Sequence, residues 1–180
     1  MKNWNEPTQS GSCNWENDVA DALDVCERLD VPINTVDLSE TYWNKVFKDF
    51  LEQYHNGRTP NPDVLCNREV KFKAFLEHAQ SFGADMIATG HYVASDVQNG
   101  CRRLLKGADQ NKDQSYFLYA LGQRQLDMSL FPLGMARKND IRRMAQDAGL
   151  KTHDKKDSTG ICFIGKQHFR KFLSGFLPSM

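Results

Sequence analysis

Gly57-Arg58-Thr59-Pro60-Asn61-Pro62-Asp63-Val64-Leu65-Cys66-Asn67 is the segment of this 180-residue chain in which the most reactive side-chain types crowd together. Pro60 and Pro62 fix their own φ angles and stiffen the stretch, while arginine, asparagine, aspartate and cysteine supply a cation, an amide, a carboxylate and a thiol. A rigid polar loop presents groups to something. The apolar spacing that follows predicts a helix containing Phe72, with Cys66 at or just before its first turn, where unpaired N–H groups and the helix dipole favour a thiolate. Cys66 is therefore a candidate nucleophile; the competing reading is a small buried hydrophobe plugging the loop against a sheet.

Lys155-Lys156-Asp157-Ser158-Thr159-Gly160-Ile161-Cys162-Phe163-Ile164-Gly165 pairs two lysines with a second cysteine. Cations beside a thiol favour the thiolate, and two reactive thiols distant in sequence could meet and exchange a disulfide or a sulfur atom. Taken alone, Ile161-Cys162-Phe163-Ile164 reads rather as a buried strand. A third polar run, Gly107-Ala108-Asp109-Gln110-Asn111-Lys112-Asp113-Gln114-Ser115-Tyr116-Phe117, enters a helix carrying groups suited to base edges and phosphates. A solvated helix start explains it nearly as well. The five histidines are scattered: His91 falls at a sheet edge, His55, His78, His153 and His168 read as surface or packing residues, and no metal site is built from them.

The elements that would place these segments follow from period and punctuation. Val19, Ala22, Leu23, Cys26 and Leu29 fall at helical spacing, Ile33 to Leu38 reads as a short strand, and Ser39 can cap a helix whose inner face is Trp43, Val46, Phe47, Phe50, Leu51 and Tyr54, ended by Asn56-Gly57. Phe72, Phe75, Leu76 and Ala79 mark the next helix, closed by Gly83, and Asp85 to Thr89 reads as a buried strand. Gly90-His91 then lies at its carboxyl end, the edge at which open parallel sheets bind ligands. Tyr92 to Val97 and Cys101 to Leu105 flank Asn99-Gly100, a strong hairpin signal. Beyond it Tyr116 to Leu121, Ile141 to Ala148 and Phe169 to Phe176 give helical stripes, with loops at Phe131-Pro132-Leu133-Gly134 and from Lys151 to Gly160.

Composition bounds the class. At 20.6 kDa the chain suffices for one domain or one domain with an appendage, and 40% hydrophobic with 26% charged residues excludes disorder, collagen and low complexity for most of it. No apolar run nears a membrane helix, the opening Met1-Lys2-Asn3-Trp4 has no signal-peptide stretch, and the chain reads as cytoplasmic. Five cysteines at separations of 13, 40, 35 and 61 positions give neither CxxC nor zinc-ligand spacing, so a structural disulfide framework is not expected. The net charge of zero conceals a split: residues 1 to 100 carry 8 Lys+Arg against 16 Asp+Glu, and residues 101 to 180 carry 15 against 7. Either the basic half faces a polyanion such as nucleic acid, or the acidic half neutralises it within the fold.

Read in order, Met1-Lys2-Asn3-Trp4, the Gly57 to Asn67 segment, Ala88-Thr89-Gly90-His91-Tyr92, Asn111-Lys112-Asp113-Gln114-Ser115-Tyr116-Phe117-Leu118, Phe131-Pro132-Leu133-Gly134 and Lys155 to Gly165 resemble the bacterial tRNA-specific 2-thiouridylase (MnmA) family over essentially the whole chain. The resemblance implies an α/β fold: a partial Rossmann-like, ATP-pyrophosphatase-type parallel sheet with helices over residues 1–108, then a basic, mainly helical tRNA-contacting segment over 109–180. It also implies a reaction, in which ATP adenylates C2 of the wobble uridine of a tRNA and a cysteine persulfide delivers sulfur, releasing AMP and pyrophosphate. Cys162 would carry the persulfide received from a sulfur-relay or cysteine desulfurase partner, and Cys66 would attack it, closing a transient Cys66 to Cys162 disulfide. Asn61, Pro62 and Asp63 match positions contacting the target base, with Asp63 an acid/base; Lys112, Asp113 and Gln114 match tRNA contacts, and Met1 and Gly90 match ATP contacts. ATP arrives with magnesium as its counterion, and no permanently bound cofactor is implied.

The family's opening Ser-Gly-Gly-x-Asp-Ser phosphate loop and its C-terminal β-rich modules have no counterpart in these residues, so the expectation is a central portion of such a protein. The alternative function is a non-catalytic remnant that binds tRNA or a sulfur-relay partner. A weaker one is a thiol redox protein that uses Cys66 and Cys162 as its pair.

Overall fold

The computed structural model describes residues 1–4, 14–157 and 169–176. Helices and short strands are interspersed along the chain, so the α/β expectation stands at that level. By internal packing the chain divides into two compact units, one formed by residues 1–62 and 145–180, the other by residues 63–144.

In the first unit, α1 (Asn14–Arg28) carries an acidic face, and the helix predicted from Ser39 onward is continuous through α2 (Ser39–Tyr42), a π-helical turn (Trp43–Phe47) and α3 (Lys48–His55). Its start differs from the expected serine cap. Ser39 is already helical, and it is Asp37 whose carboxylate accepts from the Ser39 N–H (2.9 Å) and hydroxyl (2.5 Å). The helix ends as predicted at Gly57, whose φ of 71° favours a residue without Cβ. The core is aromatic: Tyr42, Phe47 and Phe50 are fully buried, and Trp4 packs edge-on against Phe47 at 4.8 Å. Phe172 and Phe176, from α8 (Phe169–Leu173) and the turn after it, meet Phe47 at 6.0 and 5.0 Å. The strand expected over Ile33 to Leu38 contracts to a single parallel bridge, Lys2 with Asp37, made by Lys2 N–H to Val36 O (2.8 Å) and Leu38 N–H to Lys2 O (2.7 Å).

In the second unit, which begins at Asp63 one residue into α4 (Pro62–Leu65), that helix, a π-helical stretch (Cys66–Ala74) and α5 (Phe75–Ser81) run on as one helix, closed at Gly83 with φ 85°. Pro62 suits the first helical position because it has no N–H to leave unpaired. Strand β1 (Ile87–Ala88) follows, and β2 (Val93–Gln98) and β3 (Cys101–Lys106) form the predicted antiparallel hairpin. Asn99 and Gly100 turn it with φ values of 53° and 75°, the two left-handed residues such a turn requires. The helix expected from Tyr116 contracts to a 3₁₀ turn (Ser115–Phe117), followed by α6 (Gln123–Asp127) and a strand not expected there, β4 (Ser129–Leu130), which pairs in parallel with β1. Phe72, Leu76, Ile87, Val93 and Leu118 form the core. Helix α7 (Lys138–Asp147) carries the chain out of this unit after Met144, and a 3₁₀ turn (Lys151–Asp154) belongs to the first unit.

Candidate functional site

The helix that opens at Pro62 sets the geometry of the thiol. Helical backbone begins four residues before Cys66, so the thiol sits beyond the first turn, at the head of the π-helical stretch, and only 2% exposed. This corrects the expected placement: the N-terminal dipole acts on Asp63, in the first turn, and not on Cys66. Asp63 and Cys66 are three positions apart, a spacing that puts side chains on one helix face.

Burial pushes the Asp63 carboxyl above its ordinary range, and the Lys71 ammonium opposes the shift. Lys71 was not among the residues singled out from sequence. It is eight positions beyond Asp63, a spacing that returns near the same side of a helix. The same ammonium reaches His91, whose imidazole is held down to about 4 by burial and by Lys71. His91 Nδ1 lies 3.0 Å from Thr89 Oγ1, and its ring faces Phe72 at 5.6 Å. A carboxyl raised by burial and an imidazole kept neutral by burial, both in reach of one cation, are the kind of perturbed titratable groups that gather at functional sites.

Asn67, 2% exposed, donates from Nδ2 to the Phe117 carbonyl (3.2 Å), which fixes the amide orientation and leaves Oδ1 buried with no hydrogen-bond partner. The wide-turn stretch is braced by Gln125, whose Nε2 donates to the carbonyls of Arg68 (3.0 Å) and Phe72 (3.1 Å).

The loop from Gly107 to Ser115 is also anchored. The Asp113 carboxylate accepts from Gly107 N–H (2.8 Å), Ser115 N–H (3.2 Å) and the Ser115 hydroxyl (2.8 Å). Burial pushes the Asp113 carboxyl up, but these bonds together with Lys106 outweigh it and leave the group below its ordinary range. Gln114 Oε1 accepts from Tyr92 N–H (3.0 Å), and Asp109 accepts from Lys138 N–H (3.0 Å) at the start of α7.

Within the second unit the structure thus brings Asp63, Lys71 and His91 into one electrostatic neighbourhood, and joins Gln114 to Tyr92, two residues past Gly90. Met1, Asn61 and Pro62 belong to the first unit; Met1 and Asn61 are exposed, Pro62 is buried. Cys162, and with it the expected Cys66 to Cys162 pairing, lies outside the described residues. Lys155, which opens that segment, pairs with Asp18 (2.7 Å) and Asp21 (2.5 Å) of α1, and Lys151 with Asp24 (2.5 Å). Among the described residues no group of three or more His, Cys, Asp or Glu could hold a metal ion.

The chain is 56% identical over 180 residues to the tRNA-specific 2-thiouridylase MnmA of Hydrogenovibrio crunogenus, a match covering 99% of this chain and 48% of that protein. It is 54% identical over 179 residues to MnmA 2 of Geobacillus kaustophilus and 52% identical over 179 to MnmA of Bacillus thuringiensis, with the same two coverages. The chain therefore spans about half the length of the curated relatives it matches. A family model described as the tRNA methyl transferase HUP domain matches residues 1–166, and with more than nine-tenths of its length inside that match the chain belongs to this family.

Proposed function

We propose that these 180 residues belong to a tRNA-specific 2-thiouridylase, an ATP-dependent tRNA sulfurtransferase, and carry its base-reading loop and thiols. The observation that carries the reading is the identity of 52–56% to relatives bearing that name across 99% of the chain. The C2 carbonyl of uridine is a poor electrophile until adenylation by ATP, a substrate here, turns its oxygen into part of a leaving group. A persulfide on Cys162, loaded by a sulfur-relay or cysteine desulfurase partner, attacks C2 and AMP departs. Cys66 then attacks the sulfur of Cys162, freeing the thiocarbonyl and closing a transient disulfide that a cellular thiol reduces. Asn61, Pro62 and Asp63 read the flipped base, and Asp63 exchanges a proton with it. Met1 and Gly90 contact ATP, and Lys112, Asp113 and Gln114 serve tRNA recognition.

The assignment divides the chain by role: residues 1–108 are the partial nucleotide-binding portion and 109–180 the tRNA-contacting portion, in the cytoplasm. No described helix is long and apolar enough to cross a membrane. The test is pyrophosphate release from ATP with unmodified tRNA and a persulfide donor. Release that requires tRNA supports the reading. A cooperatively melting protein that binds tRNA and releases nothing supports instead the alternative, a non-catalytic tRNA- or relay-binding remnant.

A further inference from the structure

One side chain ties helix α6 to the wide-turn stretch that begins at Cys66. Gln125, the third residue of α6, accepts at Oε1 from Gly122 N–H (2.9 Å), which caps that helix, while its Nε2 donates to Arg68 O (3.0 Å) and Phe72 O (3.1 Å). Both amide hydrogens are thereby used. A turned-over amide would set its oxygen against two carbonyls and its nitrogen against an N–H, so these bonds fix the orientation. Gln125 is itself held, because the Ser129 hydroxyl donates to its carbonyl (2.7 Å) and the neighbouring Leu126 is buried.

The two carbonyls lie inside the π-helical stretch Cys66–Ala74, the first of them two residues past the thiol. Wide turns are rare and gather at functional sites, and a carbonyl with two lone pairs can accept a side chain beside its helical partner. Closing such a turn to ordinary α-helical spacing would rotate the residues on its far side by roughly 100° for each residue taken out. Cys66, at the head of the stretch and 2% exposed, would leave its present seat. We propose that Gln125 is a positioning residue for the Cys66 thiol: by holding the carbonyls of Arg68 and Phe72 it keeps the wide turns open and aims Cys66 for the sulfur-releasing attack. The proposal rests on the reading of Cys66 as a nucleophile given above. Base recognition and adenylation do not use that thiol, so the effect of Gln125 is confined to the later step.

Gln125→Glu keeps an acceptor for Gly122 N–H and loses both donors; Gln125→Met keeps the length and loses all three bonds. In the intact protein that carries this sequence, each variant first shown to melt cooperatively, three quantities are compared with wild type: affinity for unmodified tRNA at fixed salt, tRNA-dependent pyrophosphate release, and single-turnover thiolation. Both variants are expected to slow thiolation about 10- to 100-fold, the cost of misplacing a reacting group by about an ångström. Affinity and pyrophosphate release are expected to stay within about twofold, since an interaction used only in a later step leaves the earlier ones alone. Wild-type thiolation by Gln125→Glu overturns the proposal, and so does a parallel loss in all three quantities, the mark of general damage. Side-chain amide exchange of wild-type Gln125 needs no variant: its Nε2 hydrogens are expected to exchange at least about tenfold more slowly than those of a solvated glutamine. Exchange at the solvated rate overturns the tie. The functional reading fails separately, if Cys66→Ser thiolates like wild type in the same assay.

Discussion

His91 is the residue whose environment makes the plainest solution prediction. Its folded pKa of about 4 lies below the ordinary 6.5, so the unfolded chain takes up a proton first as pH falls. Stability attributable to His91 is fully present above pH 6.5 and is lost as pH drops toward 4, a loss of about 2 kcal/mol once solvent screening of a half-buried ring is included. His91→Gln should flatten that part of a denaturation-against-pH profile, and an unchanged slope would contradict the buried neutral imidazole. The lowered carboxyls of Asp37, Glu69, Asp96 and Asp113 lose their contribution in the same direction, but only in the acid range below the ordinary carboxyl values of 3.8 and 4.5. Asp63 has the opposite sign. Burial raises its pKa, so its ionisation favours the unfolded chain as pH rises above 3.8. Asp63→Asn should therefore leave neutral-pH stability unchanged or higher while lowering thiolation about 100-fold or more, the usual worth of a positioned acid or base. Melts and turnover on the same preparation check both halves. The types and order of Asp63, Cys66 and Gly90 were legible in the sequence. Lys71 was not, because helical period alone does not say which charged side chain will come near a buried carboxyl.

Among the elements, the hairpin and the helix ends at Gly57 and Gly83 could be read directly, because left-handed φ values restrict which residues can occupy those positions. The β1–β4 pair was only half legible: Asp85 to Thr89 reads as a strand, but its partner Ser129–Leu130 is two residues long and more than forty positions away, too short to show a period. Phe131 to Gly134 read as a plain loop, yet Gly134 is where backbone meets backbone at the start of β2. Gly134→Ala should destabilise the chain by more than about 2 kcal/mol in a denaturant titration, since its Cβ meets main chain that cannot swing aside. Asp113→Ala, which removes one carboxylate from three donors, should cost about 1–3 kcal/mol. A variant of either kind with wild-type stability would mean that the loop from Gly107 to Ser115 is not the brace described here.

For the molecule as a whole, the charge split admitted two readings, and within the first unit the internal one is realised in part: Lys151 and Lys155 are matched by Asp18, Asp21 and Asp24 of the acidic helix. Charge arithmetic could not show which lysines would be used this way, because pairing depends on which surfaces fold together. Exposed basic groups such as Arg124 and Arg137 lie in the second unit. If they meet tRNA, a fourfold rise in salt should weaken binding about tenfold, the effect of roughly two neutralised phosphates. Binding that ignores salt would remove the electrostatic part of the account. The central claim, sulfur delivery to a tRNA uridine through Cys66, is tested most directly by nucleoside mass spectrometry of tRNA treated with ATP, a persulfide donor and the intact protein that carries this sequence, as wild type and as Cys66→Ser. The account predicts a wobble uridine that has exchanged one oxygen for sulfur with the wild type and stays unmodified with Cys66→Ser, which still binds tRNA. Equal thiolation by both proteins, or a uridine that has gained a methyl group in place of sulfur, would contradict it.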